Sequence, residues 1–105
     1  MGQGYALEEE IKLEGGLIEN KSLGEYMIPT SMDVPHIEPK IIEVPVSSGP
    51  YGAKGVGEPP LIPTAPAILN AICNAVGVRI TKLPANLENL HRLIRKKEAE
   101  KTGES

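Results

Sequence analysis

The sequence has no phenylalanine and no tryptophan, and its only aromatic residues are three tyrosines. Its core is therefore expected to be almost wholly aliphatic, without the large rings that dominate many protein cores. It also has a single cysteine, Cys73, which excludes an internal disulfide and a four-thiolate iron–sulfur site. We expect Cys73 to lie along a helix as a small buried hydrophobe, since free cysteines are usually buried.

Long apolar runs and an excess of positive charge are also missing. No run approaches the roughly 20 residues of a membrane span and no secretory signal opens the chain, so we expect a cytoplasmic protein without a membrane partner. The formal net charge is -3, which leaves no basic field for nucleic acid. His36 and His91 lie far apart in the sequence without metal-ligand spacing, so no metal site is predicted.

Glycine and proline are abundant instead. The chain has 11 glycines and 10 prolines in 105 residues, against a combined average of about 12%. All the prolines fall between Pro29 and Pro84, which predicts an irregular middle section draped over something else. Such a section is hard to stabilise in a small domain, which buries a limited fraction of its surface. We therefore expect the chain to be part of a larger body.

The hydrophobic periodicity predicts one small α+β domain, 1–105, with short strands and a long Gly/Pro-rich middle section. Its two main helices are expected at about 64–76 and 87–97, and residues 98–105 are expected to form a frayed tail. Thr64 and Asn86 are the expected N-caps, and Gly77 ends the first of these helices. The smaller predicted elements are a helix over 3–9, a hairpin around Gly15-Gly16, and strands over 40–46 and 78–83.

The stretch GPYGAKGVGEPP, residues 49–60, is too rich in glycine and proline for a helix interior or a central strand. It lacks the spacing of a nucleotide-binding P-loop. Its glycines at 52, 55 and 57 either adopt positive φ or let a ligand lie directly against the main chain.

Glu58 is the single acid of that stretch. Pro59 is expected to hold Glu58 in an extended conformation. Two interpretations remain open from the residues alone. In dry surroundings such a carboxylate gains the proton affinity of a general base, whereas in water it is an ordinary solvated glutamate on a surface turn.

A family resemblance follows from this stretch and its surroundings. GPYGAKGVGEPPLIPTAPAILNAICNAVGVRITKLPANLENL resembles the C-terminal end of the molybdenum-cofactor subunit of the xanthine dehydrogenase and aldehyde oxidase family. GYALEEE and YMIPTSMDVPHIE resemble the stretch just upstream in the same subunit. The resemblance covers roughly residues 2–90 and implies that the chain corresponds to the C-terminal segment of a molybdenum-cofactor-binding domain.

The reaction that this family catalyses implies a role for Glu58. Members hydroxylate an electron-poor carbon with oxygen from water, and the resemblance implies that Glu58 is the general base of that reaction. It also implies that Ala53, Lys54, Gly55 and Val56 lie close to the molybdopterin-type cofactor. Aldehydes, purines and N-heterocycles all remain open as substrates.

The family's large subunits run to many hundreds of residues, and this chain lacks the segments that hold most of the cofactor. We therefore expect a C-terminal fragment or split subunit. Its expected partners are chains carrying the molybdenum cofactor, with iron–sulfur and flavin subunits beyond them. The isolated chain is expected to be inactive, to bind no molybdenum and to be prone to self-association. The alternative is a non-catalytic remnant that serves as a structural or interaction module.

Overall fold

The structure, a computed structural model, describes residues 1–103. It has the predicted α+β composition, with helices and one small antiparallel sheet. In chain order the elements are α1 (Gly2–Leu7), β1 (Leu13–Glu14), β2 (Leu17–Ile18), α2 (Thr64–Val76) and α3 (Leu87–Thr102). Two 3₁₀ turns, Pro50–Gly52 and Pro59–Leu61, lie between β2 and α2. No helix in this part of the chain is both long and apolar enough to cross a membrane.

Helix α1 packs closely against α2 because its contact face is made of small residues. Gly2 lies so near Thr64 that an added Cβ would come within 2.6 Å of the Thr64 Cβ atom. Ala6 of α1 is fully buried, and Ala65 at the start of α2 is also buried. The Ala85 N–H donates to the Ala6 carbonyl at 2.7 Å, which brings the chain after α2 back to the same place.

The core around this contact is too small to support a compact domain. Among residues 1–103, the buried apolar residues are Ala6, Ala65, Val78, Ile80 and Ala85. The Cα radius of gyration is 18.7 Å, whereas a compact chain of this length has about 13 Å. The accessible surface is 8922 Å², against about 5,700 Å² for a compact protein of this mass. The chain is therefore spread out, with an excess of surface.

The first main helix has the predicted bounds, but its N-terminus is built differently. Thr64 is the first residue of α2, and Pro63 takes the N-cap position without a side-chain bond. The predicted capping role of Thr64 is therefore wrong, because its hydroxyl instead donates to the carbonyl of Pro60 at 3.2 Å. Gly77 ends the helix with a left-handed φ of 66°, as predicted.

The second main helix starts as predicted and ends later. The Asn86 side chain caps α3 by accepting from the Asn89 N–H at 2.9 Å. The predicted end at 97 is wrong, because α3 continues to Thr102 with Gly103 as its C-cap, so residues 98–102 are helical rather than a frayed tail. Residues 104 and 105 lie outside the described part. The extra turn carries two ion pairs, Arg95–Glu98 at 3.7 Å and Lys96–Glu100 at 4.0 Å.

Of the predicted β elements, only the hairpin forms. Leu13 pairs with Ile18 and Glu14 with Leu17, and the connecting Gly15 and Gly16 both have positive φ, as a primed turn requires. The strands predicted over 40–46 and 78–83 are wrong, since neither segment pairs with another strand within residues 1–103. The helix predicted over 3–9 is the shorter α1. A strand needs a neighbour for its ladder of hydrogen bonds, and the pattern of one segment cannot supply it.

The middle section is fastened to the region of α1 by side chains. The Gln3 amide donates to the Asp33 carbonyl at 2.9 Å, and the Tyr26 hydroxyl donates to the Glu9 carboxylate at 3.0 Å. This bond to Glu9 raises the pKa of Tyr26. Beyond Asp33 the chain carries no helix or strand until Pro50.

Candidate functional site

The first half of the loop 49–60 folds back on the residues just before it. The Val46 N–H donates to the Gly52 carbonyl at 3.3 Å. Gly52 has a φ of 75°, and an added Cβ would come within 2.9 Å of the Pro45 Cβ atom. At Gly49 an added Cβ would lie 2.6 Å from the Ala53 carbonyl oxygen. Glycine is therefore required at both positions by the loop itself.

In the second half of the loop, the fold does not require glycine. Gly55 and Gly57 do not adopt positive φ, so that prediction holds for Gly52 alone. An added Cβ at either position would meet nothing within 4 Å. Within residues 1–103, the backbone N–H groups of 54–57 donate to no other group. This stretch is consequently open to a ligand that lies against its main chain, which is the other predicted use of these glycines.

Glu58 stands where this open stretch meets the next turn. Its φ and ψ are −78° and −36°, so the extended conformation predicted from Pro59 is wrong. The reason is local: the Glu58 carbonyl accepts from the Leu61 N–H at 2.8 Å and thereby starts the 3₁₀ turn. That bond offsets the steric preference that a following proline imposes.

The Glu58 side chain is exposed. In the described part of the chain its carboxylate has neither a hydrogen-bond partner nor an ion-pair partner, and Lys54 nearby in the sequence is exposed as well. This chain therefore does not itself provide the dry surroundings that a general base needs.

A tyrosine that the sequence did not single out fixes the turn after Glu58. The Tyr5 hydroxyl donates to the Leu61 carbonyl at 2.8 Å, across 56 positions of sequence. This bond joins α1 to the turn that leads into α2. The periodicity of α1 offers no hint of the contact, because the partner is a backbone carbonyl far along the chain.

The predicted cofactor-proximal residues lie together. Ala53, Lys54, Gly55 and Val56 line a cleft of about 480 Å³ together with Tyr51, Gly52 and residues 42–45. Glu58 is not among the residues that line it. The structure thus groups the four backbone candidates and leaves the candidate base just outside their cleft.

No metal site is formed by side chains in the described part. Residues 1–103 contain no group of three or more histidine, cysteine, aspartate or glutamate residues that could hold a metal ion. Cys73 is only half-buried in α2 rather than fully buried, and the two histidines are exposed.

Comparison with known proteins identifies the class. No family model matches the chain. Its homologues are molybdenum-binding subunits of xanthine dehydrogenases and aldehyde oxidoreductases, so the resemblance seen in the sequence is confirmed. The chain is homologous to a segment of the molybdenum-binding subunit in this family of oxidoreductases.

Particular relatives show how much of the subunit is represented. The xanthine dehydrogenase molybdenum-binding subunit of Escherichia coli O157:H7 is 42% identical over 93 residues, covering 87% of this chain and 12% of that protein. The aldehyde oxidoreductase molybdenum-binding subunit PaoC of Escherichia coli K12 is 38% identical over 94 residues, covering 86% and 13%. The chain therefore spans only about an eighth of the length of these relatives.

A solved structure matches in the same way. Quinoline 2-oxidoreductase from Pseudomonas putida 86 superposes with a TM-score of 0.79 at 31% identity, covering 90% of this chain and 13% of that one. Matches this long necessarily include residues 49–60, because those residues lie in the middle of the chain. The loop is therefore part of the shared segment.

Proposed function

We propose that this chain is the C-terminal segment of the cofactor-binding subunit of a molybdenum hydroxylase, and that Glu58 is the general base. The reaction is the hydroxylation of an aldehyde, a purine or an N-heterocycle. The observation that carries the proposal is the match to a molybdenum-binding subunit along 87% of the chain. The similar proteins include a xanthine dehydrogenase, an aldehyde oxidoreductase and a quinoline oxidoreductase, which supports the reaction type while leaving the substrate open.

The residues of the open stretch fit a cofactor held against the main chain. Ala53, Lys54, Gly55 and Val56 line the cleft, and the N–H groups of residues 54–57 have no acceptor within residues 1–103. Gly55 and Gly57 leave the backbone without side chains, although no contact among residues 1–103 requires glycine at either position. When bound, the molybdenum cofactor supplies the two-electron redox chemistry of the hydroxylation.

The part assigned to Glu58 is the acceptance of a proton at a carboxylate oxygen. Its backbone is held by the turn that follows, and Tyr5 ties that turn to α1. Such positioning matters because a misplacement of about 1 Å can cost roughly a hundredfold in rate. Since Glu58 is exposed here, the water-excluding walls must come from the rest of the subunit.

The rest of the enzyme is therefore assigned to partner polypeptide. The chain spans 12% of its relative, and the remaining cofactor-binding segments, with iron–sulfur and flavin subunits, complete the assembly. It follows that the isolated chain is inactive and binds no molybdenum. Elemental analysis of the purified chain checks this, and stoichiometric molybdenum on the chain alone would contradict it.

The decisive variant is Glu58→Gln in the enzyme assembled with its molybdenum-binding partner. Glutamine keeps the size of the side chain and removes the proton acceptor, so turnover is expected to fall by about 10²–10⁴-fold. Molybdenum content and substrate binding are expected to stay close to wild type. Steady-state kinetics with metal analysis of the same preparation measures all three.

Two controls sharpen that result. Glu14→Gln makes the same change at the exposed hairpin and is expected to leave turnover unchanged, while Lys54→Met is expected to have a smaller effect than Glu58→Gln. If Glu58→Gln retains most of its turnover at full molybdenum content, Glu58 is not the base. The chain would then be better described as a non-catalytic structural or interaction module.

A further inference from the structure

Residues 34–45 form the least satisfied part of the backbone. Within residues 1–103, none of their N–H or carbonyl groups takes part in a hydrogen bond with another group of the protein. Their apolar side chains are also exposed: Ile41 is 88% and Ile42 87% exposed, and Val44 is 59% exposed. The composition is nevertheless that of a strand, with β-branched residues at 41, 42, 44 and 46.

The prolines of this segment distinguish its two edges. In a strand, alternate residues direct their N–H groups to the same edge. Pro35, Pro39 and Pro45 all fall at odd positions, so the odd edge lacks donors at both ends of the stretch 39–45. The even edge keeps its donors at Lys40, Ile42 and Val44. It ends at Val46, whose N–H already bonds to Gly52.

We infer that residues 40–44 dock as an added β-strand on the rest of the molybdenum-binding subunit, pairing through Lys40, Ile42 and Val44. This inference rests on the proposed function for the identity of the partner. Addition of a strand to an open sheet edge satisfies backbone groups and buries alternate side chains in one step. Residues 40–44 are not a strand within this chain, and in this inference they become one only when they pair with another part of the subunit.

Two observations on the whole chain favour the rest of the molybdenum-binding subunit as the partner of this strand. The accessible surface exceeds that of a compact protein of this mass by roughly 3,000 Å², which is the scale of surface that obligate interfaces bury. The chain also represents only 12% of its relative's length, so most of the subunit that could supply the sheet lies outside it. Residues 42–45 line the same cleft as Ala53–Val56, so docking of the strand would also bring the loop to the partner.

The experiment uses the tagged full chain, produced in its source organism and purified with its bound partner. The partner is identified by mass spectrometry as a relative of the missing part of the molybdenum-binding subunit. Hydrogen–deuterium exchange with residue-level fragmentation is then compared between the free chain and the complex. The amides of Lys40, Ile42 and Val44 are expected to exchange at least tenfold more slowly in the complex, and those of Ile41 and Glu43 much less so.

A matched pair of proline variants tests which edge of residues 40–44 pairs with the partner. Ile42→Pro removes a donor from the pairing edge and is expected to weaken the complex about tenfold or more. Ile41→Pro makes the same residue change on the other edge and is expected to weaken it less than threefold. Neither residue makes a backbone hydrogen bond within residues 1–103, so circular dichroism of the free variants should match wild type.

Other outcomes distinguish a failure of the strand docking from a failure of the proposed function. A complex that forms with the molybdenum-binding partner but leaves Lys40, Ile42 and Val44 unprotected overturns the strand docking and leaves the proposed function standing. Equal effects of the two proline variants also overturn it. Protection of these amides in the chain alone, together with a dimeric mass, means that a second copy is the occupant and overturns the assignment of the partner. Absence of any molybdenum-binding partner overturns both this inference and the proposed function.

Discussion

Glycines that look alike in the sequence have different roles in the loop 49–60. Gly52 has positive φ and lies against Pro45, so the fold of the loop requires it. A Cβ added at Gly55 or Gly57 would meet nothing within 4 Å among residues 1–103, so the fold of the loop does not require glycine there. The sequence could mark all three as special, but only contacts distinguish a structural glycine from one that keeps a surface bare.

Tyr5 provides the residue-scale test of how the turn after Glu58 is held. Tyr5→Phe removes the part-buried hydrogen bond to the Leu61 carbonyl, which is expected to cost about 1 kcal/mol and to lower Tm by about 4 °C. Thermal unfolding followed by circular dichroism measures the change. Tyr51→Phe is the matched control, because the Tyr51 side chain is fully exposed, and it should leave Tm unchanged. Equal shifts for the two variants would contradict a role for the Tyr5–Leu61 bond.

At the level of elements, the ends of the long helices are set by identifiable groups. Asn86 caps the start of α3 and Gly77 stops α2. The Lys97 ammonium group of α3 donates to the carbonyls of Val76 and Gly77, at 3.0 Å and 2.8 Å. A cation at the C-terminus of α2 interacts favourably with the helix dipole. This contact joins the C-terminal end of α2 to the middle of α3 across 21 positions of sequence.

Lys97→Met tests that contact. Methionine keeps much of the aliphatic stem and loses the charge, so Tm is expected to fall by about 2–6 °C. The amides in the last turn of α2 should also exchange faster. Lys96→Met is the control, since Lys96 is exposed and, within residues 1–103, its one ion pair is with Glu100 of the same helix at 4.0 Å. An unchanged Tm for Lys97→Met at low salt would show that the end of α2 and the middle of α3 are not coupled through this side chain.

At the level of the whole molecule, surface dominates over core. Within residues 1–103 the buried apolar residues are three alanines, one valine and one isoleucine, and many large apolar side chains are exposed, including those on 41, 42 and 44. A chain with this balance gains stability by covering its surface rather than by packing more tightly inside. The expectation from the sequence that the chain belongs to a larger body agrees with this architecture.

Small-angle scattering on the isolated chain measures this directly. A dilution series extrapolated to the monomer is expected to give a radius of gyration near the 18.7 Å of the structure. That value lies between about 13 Å for a compact chain and about 33 Å for the same chain unfolded in denaturant, which serves as the reference. A monomer near 13 Å would contradict the extended architecture. Growth of the radius with concentration would indicate self-association through the exposed apolar surface.

The features that the sequence determined by itself are those whose cause lies within a few residues. The bounds of α2, the cap at Asn86, the stop at Gly77 and the hairpin turn at Gly15-Gly16 all follow from local spacing and backbone preference. The family resemblance was also readable, because the residues that carry it form contiguous stretches.

Only the tertiary structure decided the features that depend on distant groups. The conformation of Glu58 is set by a turn bond to Leu61, and that turn is held by Tyr5 from 56 positions away. The segment 40–46 has the pattern of a strand and no strand beside it within residues 1–103, because a ladder of hydrogen bonds requires a second backbone, and a local pattern specifies only one of the two.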